Sequence, residues 1–372
     1  MRIIDLKKIG LYLLFFIIFT EIDIFCRQLY PIAVDDKVGY IDSTGTIIIE
    51  PQFETIIQYY EITANGEKLK GVKFPSNAHF SEGYATVRDA DYFLFIPLRY
   101  HYSLINSDGK LVLFETDYEI GPFKDNFAVV RQPIKHFQYV YDNKFGLINN
   151  KVQTIIQPKY KWVGQFNEGL ILVLLNDGYG YTDLYDSLVI YPAFQDGTNF
   201  SEGLAAVSIN DKYGYIDKNG SMIIPEQFVK AWSFVDGLAR VYDGNRFFYI
   251  DKKGNKLFDN TYTSAANFSE GYAKVFVDGF VGFIDKSGIM AIPAQFNNAT
   301  DFTNGTAAVE INGKWGFIDK SGMFILQPKY DYANNFEKEL SEVWIDKEMW
   351  YINKKGEKIS KVFWDEKTFL WW

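Results

Sequence analysis

Acidic side chains recur at fixed places along this chain, and paired carboxylates are the usual instruments of hydrolysis. Asp42, Asp217, Asp251, Asp285 and Asp319 each follow an isoleucine at a turn, and Glu82, Glu168, Glu202 and Glu270 each precede a glycine. A hydrolytic pair needs two unlike environments, one that keeps a proton and one that releases it. Copies in equivalent places share one environment, so turn capping is the expected role of these acids. A calcium loop is not expected, because the turns carry Lys where a D-x-[DN]-x-[DN]-G loop needs a ligand. His79, His101 and His136 are linked by no H-x-x-x-H or H-E-x-x-H spacing, and zinc needs three or four ligands brought together. The single cysteine, Cys26, excludes an intramolecular disulfide and any C-x-x-C site. With no G-x-S-x-G elbow, phosphate loop or dinucleotide fingerprint, no catalytic residue, metal or cofactor is assigned.

Aromatic side chains offer binding rather than catalysis. Tyr179, Tyr213 and Trp315 share one place beside a glycine, where a row of exposed rings would stack on sugars or peptides and a row of buried rings would simply fill a core. Tyr59, Tyr60, Tyr92, Tyr100 and Tyr102 fall outside any regular pattern. They and Trp315 are the candidate binding residues.

The elements that hold these side chains repeat. Gly146, Gly180, Gly214, Gly282 and Gly316 lie on one 34-residue ruler, with Phe248 and Trp350 at its other marks. Phe166, Phe200, Phe234, Phe268, Phe302 and Phe336 lie on a second ruler of the same pitch. Residues 203–236 show the unit: Leu204 to Ile209 and Tyr213 to Asp217 read as a hairpin, Asp217 to Gly220 as a turn, and Ser221 to Ile224 as a third strand stopped by Pro225. The repeated phenylalanines are expected in the core, and the glycines where a neighbouring backbone or ring comes close. The fold class is all-β: a tandem array of about nine three-stranded units, at slots 39, 103, 146, 180, 214, 248, 282, 316 and 350. Either a propeller-like ring, sealed by pairing of the first strand into the final sheet, or an open β superhelix capped by the tail Phe369 to Trp372 satisfies this pattern.

Units in the stretch 27–143 are longer than those in 144–372. Phe80, Phe123 and Phe166 stand 43 residues apart, with the extra length around Ala90 to His101 and Pro133 to Asp142, and a larger excess separates Phe53 from Phe80. Insertions in repeats map to loops on one face, often the binding face. A hydrophobic content of 48% supports a real core, and a formal charge of −9 without acidic runs speaks against nucleic-acid binding. Residues 1–26 form a separate segment. Arg2, Lys7 and Lys8 precede an uncharged run from Ile9 to Phe19, which is too short to span a bilayer and has the form of a secretory signal. Lipidation of Cys26 is the alternative, weakened by the lack of small residues before it. The expected location is periplasmic, envelope or secreted, with membrane contact only through this segment.

The phrases KYGYIDKNG (212–220), FVGFIDKSG (280–288) and KWGFIDKSG (314–322), with the recurrent F-S-E-G turn, resemble the WG-repeat family of bacterial proteins. The resemblance covers the chain from about Val38 onward, with Phe248 and Ser103 replacing the glycine in two units. It implies an all-β array and frequent export, and brings no catalytic residues with it. The expected function is a non-catalytic scaffold that binds a protein or peptide, with the early insertions as the contact region. The alternatives are recognition of a surface glycan and an envelope hydrolase whose acids lie on the insertion face.

Overall fold

The computed structural model describes residues 28–34, 37–54, 57–62, 68–73, 79–93, 96–116, 118–136 and 139–364. The N-terminal segment 1–26 with Cys26, and the tail Phe369 to Trp372, lie outside them.

The unit around Gly214 shows how sequence becomes sheet. Ala205–Ile209 and Lys212–Ile216 pair antiparallel across the Asn210–Asp211 turn, and Met222–Phe228 pairs on the far side of the second of these. Oδ1 of Asp217 accepts the amides of Asn219 and Ser221, both at 2.9 Å, and Gly220 takes a φ of +81° that closes the turn. The three expected strands are joined by a shorter one, Asp196–Gly197, ahead of them, and the last of the three does not stop at Pro225 but bulges there and runs on to Phe228. Nine such sheets follow one another, each a blade, and those of blades two and six have three strands rather than four. The described residues are strand and turn throughout, with no helix.

The array closes into a ring. Phe363–Trp364 pairs in parallel with Tyr30–Val34, so the seal is made in the first sheet rather than the last. Across the seam the Tyr30 and Tyr351 rings lie 5.5 Å apart, and the Tyr351 hydroxyl donates to the Pro31 carbonyl at 2.9 Å. This excludes the open superhelix.

Between blades the core is the phenylalanine ruler. Phe200, Phe234, Phe268, Phe302 and Phe336 are buried and Phe166 is half-buried. Each buried ring meets an aromatic on the third strand of the preceding blade, as Phe234 meets Tyr215 at 4.9 Å and Phe336 meets Phe317 at 4.6 Å. The tyrosines there also bond forward, Tyr215 to the Trp232 carbonyl and Tyr181 to the Thr198 carbonyl, both at 2.8 Å. Buried hydroxyls are thereby satisfied and neighbouring blades joined.

The glycine slot answers to a bulge. Three residues of the fourth strand, Pro225 to Gln227, stand opposite Gly214 alone. A Cβ there would meet the Ile224 carbonyl oxygen at 2.5 Å and the Glu226 nitrogen at 2.7 Å. Gly39, Gly146, Gly180, Gly282 and Gly316 face the same three-residue bulge, and each bulge holds a proline: Pro51, Pro158, Pro192, Pro293 and Pro328. The blades lacking the glycine lack that proline too. Two residues stand opposite Ser103, Trp350 pairs directly with Lys361, and beside Phe248 the fourth segment leaves the ladder, keeping bridges only at Tyr262 and Lys256. Glycine and the three-residue, proline-bearing bulge are therefore one device, present together or absent together.

Candidate functional site

Strand register assigns the insertions to one face. Phe228, the last residue of its strand, pairs with Tyr213 beside the Asn210–Asp211 turn, and Asp196 at the start of the blade pairs with Ser208. Turns between second and third strands therefore share a face with the junctions between blades. In blade two that turn is lengthened into the hairpin Tyr84–Phe93 and Ile96–Asn106, and in blade three into Phe127–His136 and Tyr139–Asn149. The third insertion forms the hairpin Ile57–Ile62 and Lys68–Lys73, which follows the junction end of blade one, where Glu54 pairs with Lys37. All three belong to one face of three consecutive blades.

Of the candidate residues, Tyr59 and Tyr60 lie on the separate hairpin, opposite Gly71 and Lys70. Tyr92 and Tyr100 lie on the blade-two extension, opposite Pro97 and Ala90, and Tyr102 stands at its base opposite Arg88. These five share the insertion face. Trp315 does not join them. It is only 7% exposed, packed against Tyr332 at 5.4 Å, so its ring is core and presents no platform to a sugar. Tyr213 is half-buried, its hydroxyl held by Asp196 at 2.5 Å.

The repeated acids have structural partners. The aspartates cap their own turns, as expected. The glutamates instead reach across to the next blade: Glu168 accepts the Gly203 amide at 3.0 Å and pairs with Lys218 at 3.1 Å, and Glu270 accepts the Gly305 amide at 3.0 Å and pairs with Lys320 at 3.2 Å. Partial burial works against ionisation of both carboxyls, but these donors outweigh it and hold them below the usual range. That stabilisation is complete above the unfolded carboxyl pKa and lost as pH falls through the folded one. Glu202 holds the Gly237 amide and Lys252 in the same way and sits at a φ of +55°. Because the pair is partly exposed, Glu202→Ala should cost only about 1 kcal/mol in urea unfolding. Glu202→Gly should cost less, since glycine relieves the left-handed backbone.

His101 and His136 lie on the strands of the blade-two and blade-three hairpins. His79 sits at the seam, its Nδ1 3.4 Å from Glu337 of blade nine. Burial alone would lower the imidazole pKa, but the bond to Glu337 and the charges of Glu342 and Glu337 raise it above the ordinary value. Seam stability from this contact is present below about pH 6.5 and lost as pH rises through the folded pKa. Between pH 6 and 8 the melting temperature of wild type should fall relative to His79→Gln; parallel curves would refute the linkage. Among the described residues no three His, Cys, Asp or Glu side chains gather as a metal site.

Sequence reasoning passed over Arg240 and Lys274, which stand where other blades have Ala206 and Ala308. Arg240 lies over the Trp232 ring at 3.7 Å and donates to the Ala265 carbonyl, and Lys274 donates to the Ala299 carbonyl at 2.8 Å. Charges at an otherwise small-residue position were the available signal, and their use is to tie one blade to the next.

Nine sheets built from one repeated unit and closed end to end define a β-propeller, whose insertions among the described residues lie on one face of blades one to three. The repeat has a known sequence counterpart. The WG containing repeat matches residues 39–61, 145–179, 179–213, 213–247, 247–279, 282–315 and 315–346, and the chain belongs to that family. No curated protein matches the sequence. Among solved structures, Hsv2p of Kluyveromyces lactis is similar at 12% identity over 64% of this chain and 93% of that one, with a TM-score of 0.39. AztD of Citrobacter koseri is similar at 12% identity over 91% and 94%, with a TM-score of 0.38. The β-propeller domain of the Trilobed protease of Pyrococcus furiosus is similar at 10% identity over 76% and 96%, also at 0.38. Likeness at this level says nothing of ligand or role.

Proposed function

We propose that this protein is a non-catalytic, exported scaffold of the cell envelope that binds a protein or peptide partner through its insertion face. The observation that carries this reading is the gathering of three insertions on one face of blades one to three. The regular blades are accounted for by packing, capping and inter-blade bonds, and the repeated acids take part in those caps and bonds. The insertions 57–73, 90–101 and 133–142 hold five Lys and Arg against four Asp and Glu, a near-neutral region in a chain whose net charge is −9. The buried Trp315 removes the main support for glycan stacking.

Register supplies the test. Blade eight makes the equivalent turn with Asn312-Gly313, so replacing residues 90–100, and likewise 133–143, by Asn-Gly restores the ordinary unit length. Affinity capture from the exporting cell should lose its partner with this trimmed chain while circular dichroism and melting temperature stay unchanged. Capture of the same partner by both chains would refute the reading.

A further inference from the structure

Nine joints between blades call for nine buried rings, and the phenylalanine ruler supplies eight among the described residues. From Phe80, which meets Tyr40 at 5.1 Å, to Phe336, which meets Phe317 at 4.6 Å, each lies against an aromatic of the preceding blade. Spacing alone gives the ninth seat, between blades nine and one, to Phe25, which precedes Gly39 by as many residues as Phe200 precedes Gly214.

The ring found at that joint is Tyr30. It is 1% exposed and lies against Tyr351 as Phe234 lies against Tyr215. The register puts alanine at its place in six blades, Ala205 and Ala239 among them, and Ser341 in blade nine. A small residue there leaves room for the ruler ring, and a tyrosine takes that room itself. Ile171 is the one other bulky residue at this place, and its blade has the one half-buried ruler, Phe166. The hydrogen bond across the joint is reversed as well. Ser81, Ser201 and Ser269 donate forward to the carbonyl of the next ruler residue, whereas Glu337 stands in the place of that serine and its carbonyl accepts from the Tyr30 hydroxyl at 2.9 Å. The joint is therefore filled by residues from Gln28 onward.

We propose that the chain is cut on export between Phe19 and Gln28, and that Tyr30 is the substitution that lets blade one close without the part removed. The inference rests on the exported reading above and names where the leader ends. Phe19 closes the uncharged run and sets the upstream limit. Burial of Leu29, which is 1% exposed, sets the downstream one, because a peptidase needs accessible chain on both sides of the bond. Water adds across one peptide bond there, leaving a carboxylate on the leader and a free amine on the mature chain.

Intact mass of the chain recovered from the cell envelope or medium is expected to show a start between residues 20 and 28. In the uncut full chain, Phe25→Ala should leave the melting temperature unchanged, whereas Tyr30→Ala should lower it by about 5 °C, as removal of a buried ring does. Tyr30→Phe keeps the ring and should lose only a small part of this. Phe25→Ala alone carries the test if Tyr30→Ala does not fold. Equal falls for Phe25→Ala and Tyr30→Ala would give the ninth seat to Phe25 and overturn the proposal. An exported chain that still carries residues 1–19, or one that starts after Gln28, would overturn it too and leave the export reading standing. A chain kept uncut in the cytoplasm would sink both.

Discussion

Gly316→Val is expected to destabilise the ring by about 3 kcal/mol or more, because overpacking against a fixed backbone cannot be relieved by rotating a side chain. A Cβ at this place would sit 2.6 Å from the Leu326 carbonyl oxygen and 2.7 Å from the Pro328 nitrogen. The nitrogen belongs to the bulge and the oxygen to the residue that flanks it, so relief requires moving the fourth strand of blade eight. Ser103→Ala provides the contrast. Blade two already carries a Cβ in the slot and a smaller bulge, so the change introduces no clash and should cost no more than about 1.5 kcal/mol, the scale of one side-chain interaction. Equal costs in urea unfolding would mean that the glycine has some purpose other than admitting the bulge.

Phe234→Ala should cost about 3–5 kcal/mol, the range for removing a buried phenylalanine ring. The side chain is fully buried between blades five and six, against Tyr215. Its carbonyl accepts the Ser201 hydroxyl at 2.7 Å, so the loss falls on a joint rather than within one sheet. Phe234→Leu should recover much of this, since volume matters more there than the ring itself. Hydrogen exchange should quicken first in the strands on both sides of that joint. Acceleration confined to blade six would contradict a core shared between blades.

The repeat was legible because equivalent places impose equivalent demands: the phenylalanines and slot glycines gave the unit, its phase and the number of blades. The two-residue first strands, such as Asp196–Gly197, carry too few residues for any periodicity to register. The glutamates were read as caps of their own turns because a single unit cannot show that its neighbour supplies a glycine amide and a lysine. Trp315 was ambiguous for a related reason, since even spacing is the signature of a stacked core and of a stacked binding row alike. The shared face of the insertions followed only once register was known, because sequence gives the length of an insertion and not the direction in which its hairpin points. The joint absence of glycine and proline in blades two, six and nine was in the letters throughout, and acquired meaning only when the bulge was seen.

The seam has a consequence for how the molecule comes into being. The Tyr351 hydroxyl and the carbonyl it holds are 320 residues apart, so this contact cannot form until nearly the whole chain has been made. Interior blades assemble from neighbours only 34 residues away and are free to form earlier. Closure is therefore a late step, and until it occurs blade one lacks its Phe363–Trp364 strand while blade nine already has all four of its own. Phe363–Trp364 is thus a clasp of two residues, and the ring's circumference is held at that point by very little chain.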